Sequence, residues 1–280
     1  DDVRVSTEGE AMKLDKVQFR PPIAILGESG SGKTYQLGSL CQLLPTVIIG
    51  SDLEGFITLR KMGAAPVEVI HIQEWEAAWD CLGEVKAALR NGARAVGVDD
   101  FGASQEVMRR KAMMMPRSKL EERMKGADRE ALLRKEFLLG NRHLQFQGFQ
   151  ELAEGGRDFL WELRQLPFQL LMVNMLEGVR PDPRSGEDRL FPELEGNIRK
   201  TILARFSLVV EVFRYWEKEE ELWCATTRSH PRTSAKDRVG TARTWIAPTA
   251  AKLLLHITGK EGLSELETEL ERRIGTGLRT

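Results

Sequence analysis

The sequence predicts an α/β protein in which a mostly parallel central sheet is covered by helices on both faces. Short apolar segments of strand length recur along the chain, and segments with helical spacing of apolar residues lie between them. A glycine-rich turn joins the first apolar segment directly to the first helix. This alternation is typical of βαβ units, whose parallel strands are buried on both faces.

The individual elements follow from apolar runs and from their proline boundaries. The first strand is predicted after Pro21 and Pro22, and the helix that follows the glycine-rich turn ends before Pro45. Strands are predicted at Ile23–Leu26, Thr46–Ile49, Val67–Ile72, Ala95–Val98, Phe168–Asn174, Ile202–Tyr215 and Glu220–Thr227, and helices at Tyr35–Leu44 and Glu74–Arg90.

The domain organisation is predicted from the same pattern. The 280 residues are 41% hydrophobic and 30% charged, which is a globular composition. We expect an N-terminal extension at 1–20, a main domain at 21–262 and a C-terminal helix and tail at 263–280. No strand stands out between Phe101 and Pro167, so a helical insertion is predicted at about 102–166.

Charge and hydropathy exclude several classes of protein. Because 41 basic residues face 42 acidic ones, any nucleic-acid surface has to be local. No apolar run approaches a membrane span, and the first twenty residues lack a signal-peptide core, so a cytoplasmic location is expected. The three cysteines are widely spaced, and neither they nor the four histidines indicate a disulfide framework or a protein-ligated metal site.

The glycine-rich turn matches a phosphate-binding loop. Gly27, Gly32, Lys33 and Thr34 satisfy GxxxxGK[ST] between a predicted strand and a predicted helix. Lys33 is expected to pair with the β- and γ-phosphates, and the Thr34 hydroxyl is expected to ligate Mg²⁺. The sequence therefore predicts binding of ATP with Mg²⁺, the alternative being a plain glycine-rich turn. The predicted nucleotide-binding residues are Gly27, Glu28, Ser29, Gly30, Ser31, Gly32, Lys33, Thr34 and, on a later strand, Asn174.

Two acidic residues follow the apolar run AVGV, where a Walker B carboxylate would hold the magnesium ion through water. Asp99 is the favoured metal ligand, together with Thr34, and Asp100 is its competitor. Two surface acids at a strand end are the other interpretation.

Polar residues also end two other predicted strands. The segment SDLEG places Asp52 and Glu54 at the carboxyl edge of the sheet, where α/β proteins bind ligands. Glu54 is the candidate base that deprotonates the attacking water, although an exposed turn acid would look the same. Asn174 could sense the γ-phosphate, or it could be a polar strand end without such a role.

A basic segment lies late in the chain. Thr226–Arg243 contains five basic residues and one acid, and it includes the KxR pair Lys236 and Arg238. Such cations could reach the nucleotide of a neighbouring subunit and neutralise charge in the transition state. A solvated basic loop is the alternative.

The order of these features along the chain resembles that in the phage-encoded ATPases of RecA type that act in single-strand annealing. The features are the phosphate loop, SDLEG, the Walker B aspartate, a polar-ended strand with a long loop, and the sequence KDRxG. The resemblance covers about Ile23–Leu255. It implies a RecA-like P-loop ATPase of the host cytoplasm that assembles into a ring or filament and hydrolyses ATP on single-stranded DNA. It also implies that Glu54 is the catalytic base, that Lys236 and Arg238 act across the subunit interface, and that a single-strand-binding protein is a further candidate partner.

Two regions are candidates for DNA contact. The resemblance implies the loop Gly178–Asn197, yet this loop has three basic and five acidic residues, so Arg180, Arg184 and Arg189 would have to act alone. The insertion segment Arg109–Lys135 has ten basic and four acidic residues, although a charged helical face explains that composition as well. A P-loop motor subunit and a nucleotide-regulated assembly module remain the alternative functions.

Overall fold

The computed structural model describes residues 22–73, 75–104, 154–181, 186, 188–194, 198–217, 219–229, 234–238 and 242–257. The predicted N-terminal extension, the predicted C-terminal helix and the segment Arg109–Lys135 lie outside these residues, and so does Arg184. The division of the chain into domains stays a prediction.

Among the described residues the sheet has ten strands, of which six form a continuous parallel array. The strands are β1 (Pro22–Gly27), β2 (Thr46–Gly50), β3 (Glu68–His71), β4 (Ala95–Asp99), β5 (Leu170–Pro181), β6 (Asp188–Pro192), β7 (Leu208–Glu217), β8 (Glu220–Thr226), β9 (Lys236–Asp237) and β10 (Thr244–Ile246). The strand order is β10-β8-β7-β1-β5-β4-β2-β3, with β9 on β7 and β6 on β5. All neighbours from β7 to β3 are parallel, whereas β6, β8, β9 and β10 pair antiparallel.

Helices cover both faces of the sheet. They are α1 (Lys33–Leu43), α2 (Leu53–Lys61), α3 (Trp75–Arg90), α4 (residues 154–165), α5 (Ile198–Thr201), which continues as a 3₁₀ turn at Ile202–Arg205, and α6 (Ala250–Ile257). A single helical turn at residues 101–104 follows β4.

Alternating strand residues divide between two apolar cores, as expected for a sheet buried on both sides. Ile23 and Ile25 of β1 pack in one core with Leu37 of α1, Leu59 of α2 and Leu253 of α6. The next core, on the opposite face, contains Ala24 and Leu26 of β1 with Val85 of α3, Phe159 of α4 and Ile198 of α5. The predicted fold class, a mostly parallel α/β sheet with helices on both faces, is confirmed.

Two predicted elements differ from the structure. The predicted strand Ile202–Tyr215 begins only at Leu208, because Ile202–Arg205 forms the 3₁₀ turn whose Ile202 is buried in the core. The apolar residues of a helical turn and of a strand look alike over so short a run.

The predicted long loop after β5 is in part a hairpin. β5 continues to Pro181, and its last five residues pair antiparallel with β6, so that Arg180 lies opposite Arg189. The proline and glycine content of this segment indicated a turn, and it concealed the two short strands beside it.

Within the described residues, no helix is both long enough and apolar enough to cross a membrane. Cys81 and Cys224 are buried, and Cys41 is half-buried. Burial raises the pKa of the Cys41 thiol to about 11 and that of the Cys81 thiol to about 12. These two thiols are therefore in environments typical of unreactive cysteines.

Candidate functional site

The predicted phosphate loop connects β1 to α1. β1 ends at Gly27 and α1 begins at Lys33, so the strand–loop–helix context that the motif requires is present. Gly30 and Gly32 have φ angles of 74° and 97°, a backbone conformation that favours glycine. A Cβ atom on Gly27 would lie 2.5 Å from the Val212 carbonyl oxygen, so only glycine fits between the loop and β7.

The Lys33 ammonium group lies inside the loop. Its Nζ donates to the carbonyl oxygens of Gly27 and Glu28, both at 2.8 Å, and its side chain is buried. Burial lowers the pKa of Lys33, and the nearby carboxylates of Asp100, Asp99 and Glu177 oppose that shift. A cation held among carbonyl oxygens can exchange these acceptors for phosphate oxygens without leaving the loop.

Thr34, Asp99 and Asn174 meet at the carboxyl edge of the parallel strands. The Thr34 hydroxyl donates to Asp99 Oδ2 at 3.0 Å, and Asn174 Nδ2 donates to Asp99 Oδ1 at 2.8 Å. Asp99 is only 4% exposed, and burial raises the pKa of this carboxyl group while the two hydrogen bonds and Lys33 oppose the rise. The three residues lie on α1, β4 and β5, which the parallel sheet brings together at one edge.

These contacts favour Asp99 over Asp100 as the metal ligand. Asp100 turns to the following helical turn, where its Oδ1 accepts from the Gly102 N–H at 2.7 Å. Burial raises the pKa of Asp100 to about 6. Asp99, in contrast, shares its carboxylate with the hydroxyl group of the phosphate-loop threonine.

The oxygen donors at this edge suit a hard cation. A hydroxyl and a carboxylate are the ligands that proteins offer to Mg²⁺ beside nucleotide phosphates. In addition, Oδ1 of Asn174 is buried without a hydrogen-bond partner among the described residues. The residues present therefore fit Mg²⁺ with a nucleotide. The predicted contact of Asn174 with the γ-phosphate stays a prediction, since its amide nitrogen bonds Asp99 in the structure.

Glu54 lies at the rim of the site. It is in the first turn of α2, where its backbone N–H is capped by Asp52 Oδ1 at 2.9 Å, and its side chain is exposed. The next residue, Gly55, contacts the Asp99 carboxylate, so α2 begins directly beside the predicted metal ligand. The role of Glu54 as a base stays a prediction.

The close contact at Gly55 is a feature that sequence reasoning missed. A Cβ atom at Gly55 would lie 2.5 Å from Asp99 Oδ2, which is nearer than two such atoms can approach. The SDLEG segment contains this glycine, yet only the three-dimensional contact explains it.

We expect Gly55→Ala to lower the rate of Mg²⁺-dependent ATP hydrolysis roughly 10-fold or more, because the new methyl group displaces the Asp99 carboxylate from Thr34. Gly83→Ala is the matched control, since Gly83 lies in α3 with nothing within 4 Å of its Cβ position. Steady-state phosphate release measures both. Equal rates in the two variants would show that the contact at Gly55 does not position Asp99.

The KxR pair lies near the amino ends of the parallel strands, opposite the carboxyl ends that carry Asp99 and Asn174. β9 pairs with Leu208 and Val209 at the start of β7, and Leu208 lies beside Ile23 at the start of β1. Lys236 Nζ donates to the Leu203 carbonyl and Arg238 Nη1 to that of Ala204 at 3.4 Å. The pKa of Lys236 is about 8, lowered by burial and by Arg238. These cations do not join the phosphate loop of their own chain, so the predicted role across an interface requires a second copy.

A buried acid on β5 is a further residue near the loop that sequence reasoning missed. Glu177 is 6% exposed and lies three residues beyond Asn174, and its charge is among those that raise the pKa of Lys33. Its position in the polar sequence after the predicted strand gave no signal, because the strand was expected to end at Asn174.

Comparisons with known proteins find likeness at the level of structure. No protein-family model matches the chain, and no curated protein matches it. A solved structure titled "Crystal structure of the RadB recombinase" aligns with a TM-score of 0.42 and 12% sequence identity, over 82% of this chain and 89% of that chain. From its own sheet and loop, the chain has an α/β fold of the phosphate-loop class.

Proposed function

We propose that this protein is a Mg²⁺-dependent ATPase of RecA type. The single observation that supports the proposal best is the contact of Thr34 with Asp99 beside the Lys33 loop. A phosphate-binding lysine, a hydroxyl group and a strand-end carboxylate serve together to hold a triphosphate and its metal ion. A glycine-rich turn with only a structural role would not need the other two groups.

In the proposed reaction, the chain binds and orients the nucleotide and provides a proton acceptor. Backbone N–H groups of the loop hold the β-phosphate, and Lys33 pairs with the β- and γ-phosphates. Thr34 and Asp99 hold Mg²⁺, which when bound neutralises negative charge on the phosphates. Glu54 takes a proton from the attacking water, whose oxygen bonds to the γ-phosphorus while the bond from that phosphorus to the β–γ bridging oxygen breaks, and ADP and phosphate leave.

Replacement of Glu54 tests the hydrolytic part of the proposal. Glu54→Gln keeps the shape of the side chain and removes its ability to accept a proton, so we expect hydrolysis to fall about 100-fold. ATP binding should stay within a few-fold of the unmodified protein, because Glu54 is exposed at the rim. Glu84→Gln in α3 is the matched control. Unchanged turnover in Glu54→Gln would exclude Glu54 as the base.

The proposal includes action on single-stranded DNA by an assembled form of the protein. The hairpin of β5 and β6 supports a DNA contact, because it extends from the edge that carries Asp99 and Asn174 and pairs Arg180 with Arg189. The KxR pair supports assembly, because a cation pair remote from its own loop could serve a neighbour's nucleotide. We extend the proposal to the annealing type of phage protein on the strength of the resemblance alone.

Salt dependence tests the DNA part. We expect a fluorescent single-stranded oligonucleotide to bind more weakly as salt rises, since cation contacts to phosphates release counterions. Arg180→Gln with Arg189→Gln should weaken binding and reduce the slope of log K against log salt by about 1.4, which is about 0.7 for each lost phosphate contact on a single strand. Arg60→Gln with Arg90→Gln, at two helix ends, is the control. Absence of oligonucleotide binding at low salt, or an affinity that does not change with salt concentration, would contradict the DNA part of the proposal. Translocation on duplex DNA alone would favour a motor subunit.

A further inference from the structure

A polar and aromatic surface lies on β7 and β8 beside the phosphate loop. Arg214 and Trp223 are directly opposite each other in the antiparallel pair, so their side chains share one face of the sheet. Trp216 lies two residues beyond Arg214 on the same face. Trp223 is 41% exposed and Trp216 is 64% exposed. We call this surface the Arg214–Trp223 face.

The Arg214–Trp223 face contacts the loop itself. A Cβ atom at Gly32 would lie 2.3 Å from Cζ3 and 2.4 Å from Cε3 of Trp223, so the six-membered ring lies against the backbone of Gly32. Nη2 of Arg214 lies 4.0 Å from the Cβ position of Gly30, at the exposed tip of the loop. The guanidinium group also pairs with Glu221 at 3.0 Å. The indole is thus held at the loop with much of its surface in solvent.

The strand order places this face on the other side of the loop from the metal ligands. Next to β1 on one side are β5 and β4, which carry Asn174 and Asp99, and on the other side are β7 and β8. If the terminal phosphates of a nucleoside triphosphate lie at Thr34 and Asp99, its nucleoside end has to extend out of the loop. On the metal side, Asp99 and Asn174 are buried, and a Cβ atom at Gly55 would lie only 2.5 Å from Asp99 Oδ2. The flank at β7 and β8 offers a flat, half-exposed aromatic ring instead.

We propose that the base of the bound nucleotide stacks on the Trp223 indole, with Arg214 lining the same flank of the loop. The inference rests on the proposed function, since it names the nucleoside subsite of the nucleotide site. An aromatic ring suits this task because every base has a flat π-face, and such stacking is sequence-tolerant. The alternative is that Trp223 only supports the backbone of the loop from the side.

The experiment compares a ligand that has a base with one that lacks it. Calorimetry measures binding of Mg²⁺-ATP and of Mg²⁺-tripolyphosphate to the full chain, to Trp223→Leu and to Trp161→Leu. Leucine keeps an apolar side chain against Gly32 and removes the aromatic ring. Trp161 is the matched control, because it is a 51% exposed indole on α4 that lies near Arg205 and not at the loop.

We expect Trp223→Leu to weaken ATP binding about 10-fold to 100-fold, the size of one base-stacking contact, and to leave tripolyphosphate binding within about 2-fold. Trp161→Leu should leave both unchanged. If Trp223→Leu weakened the binding of ATP and of tripolyphosphate equally, Trp223 would have a purely structural role. If ATP binding were unchanged, a contact with the base would be excluded. Either result overturns the inference. Failure of the unmodified protein to bind either ligand would instead contradict the proposed function.

Discussion

Replacement of Asp99 with asparagine is expected to lower Mg²⁺-dependent ATP hydrolysis by at least about 100-fold. The substitution keeps the size of the side chain and removes the negative charge that Thr34 contacts at 3.0 Å. A metal ion held by the hydroxyl group alone would lose the anionic ligand that fixes its position. The ligand-free protein should fold normally, since burial raises the pKa of this carboxyl group and an uncharged side chain avoids that desolvation cost.

Asp100→Asn is the matched control for this prediction. The two carboxyl groups are adjacent in sequence, yet Asp100 accepts a hydrogen bond from the Gly102 N–H, and asparagine can accept the same bond. We expect its hydrolysis rate to stay within about 10-fold of the unmodified protein. Rates as a function of Mg²⁺ concentration, with circular dichroism to check folding, separate the two variants. A larger loss in Asp100→Asn than in Asp99→Asn would identify Asp100 as the metal-binding acid.

Replacement of Lys33 with methionine is expected to weaken ATP binding by at least about 100-fold. Lys33 is the cation at the centre of the loop, and paired charge-assisted hydrogen bonds to phosphate oxygens are among the strongest that a side chain makes. In the ligand-free state, methionine fills the same space and loses the two bonds to the Gly27 and Glu28 carbonyls, while it also removes a charge that burial disfavours. These effects oppose each other, so we expect only a small change in the melting temperature.

The shift in melting temperature with added Mg²⁺-ATP measures this prediction. The unmodified protein should melt higher as ATP is added, because a ligand that binds only the folded state stabilises it. The shift should vanish in Lys33→Met and persist in Lys61→Met, the same substitution at an exposed residue that ends α2. A full shift in Lys33→Met would exclude the loop as the phosphate site.

The fold and the centre of the site were predictable from the sequence because both depend on local patterns. The strand before the loop, the glycines and Lys33 are consecutive in the chain, so their arrangement needs no long-range information. Asp99 is 65 residues from Thr34, yet the two meet because parallel strands end at a common edge. A strand-end acid in an alternating α/β sequence could therefore be placed beside the loop in advance.

Other parts of the site depend on contacts between elements, which periodicity does not encode. Gly55 approaches Asp99 because α2 begins at that edge, and Trp223 covers Gly32 because β8 lies two strands from β1. Trp223 belongs to no motif, and the SDLEG segment that contains Gly55 gave no sign of the contact with Asp99. Lys236 lies at the amino ends of the parallel strands because β9 pairs with the start of β7. A basic run in the sequence does not indicate at which end of the strands it will lie.

Isothermal titration of the purified protein with ATP and with ADP, in the presence and absence of Mg²⁺, tests the central claim most directly. The claim is that the loop from Gly27 to Thr34 binds the phosphates of a nucleotide. We predict saturable binding of about one nucleotide per chain, which Mg²⁺ strengthens for ATP. A flat titration with both nucleotides, at a protein concentration that detects millimolar affinity, would contradict the account.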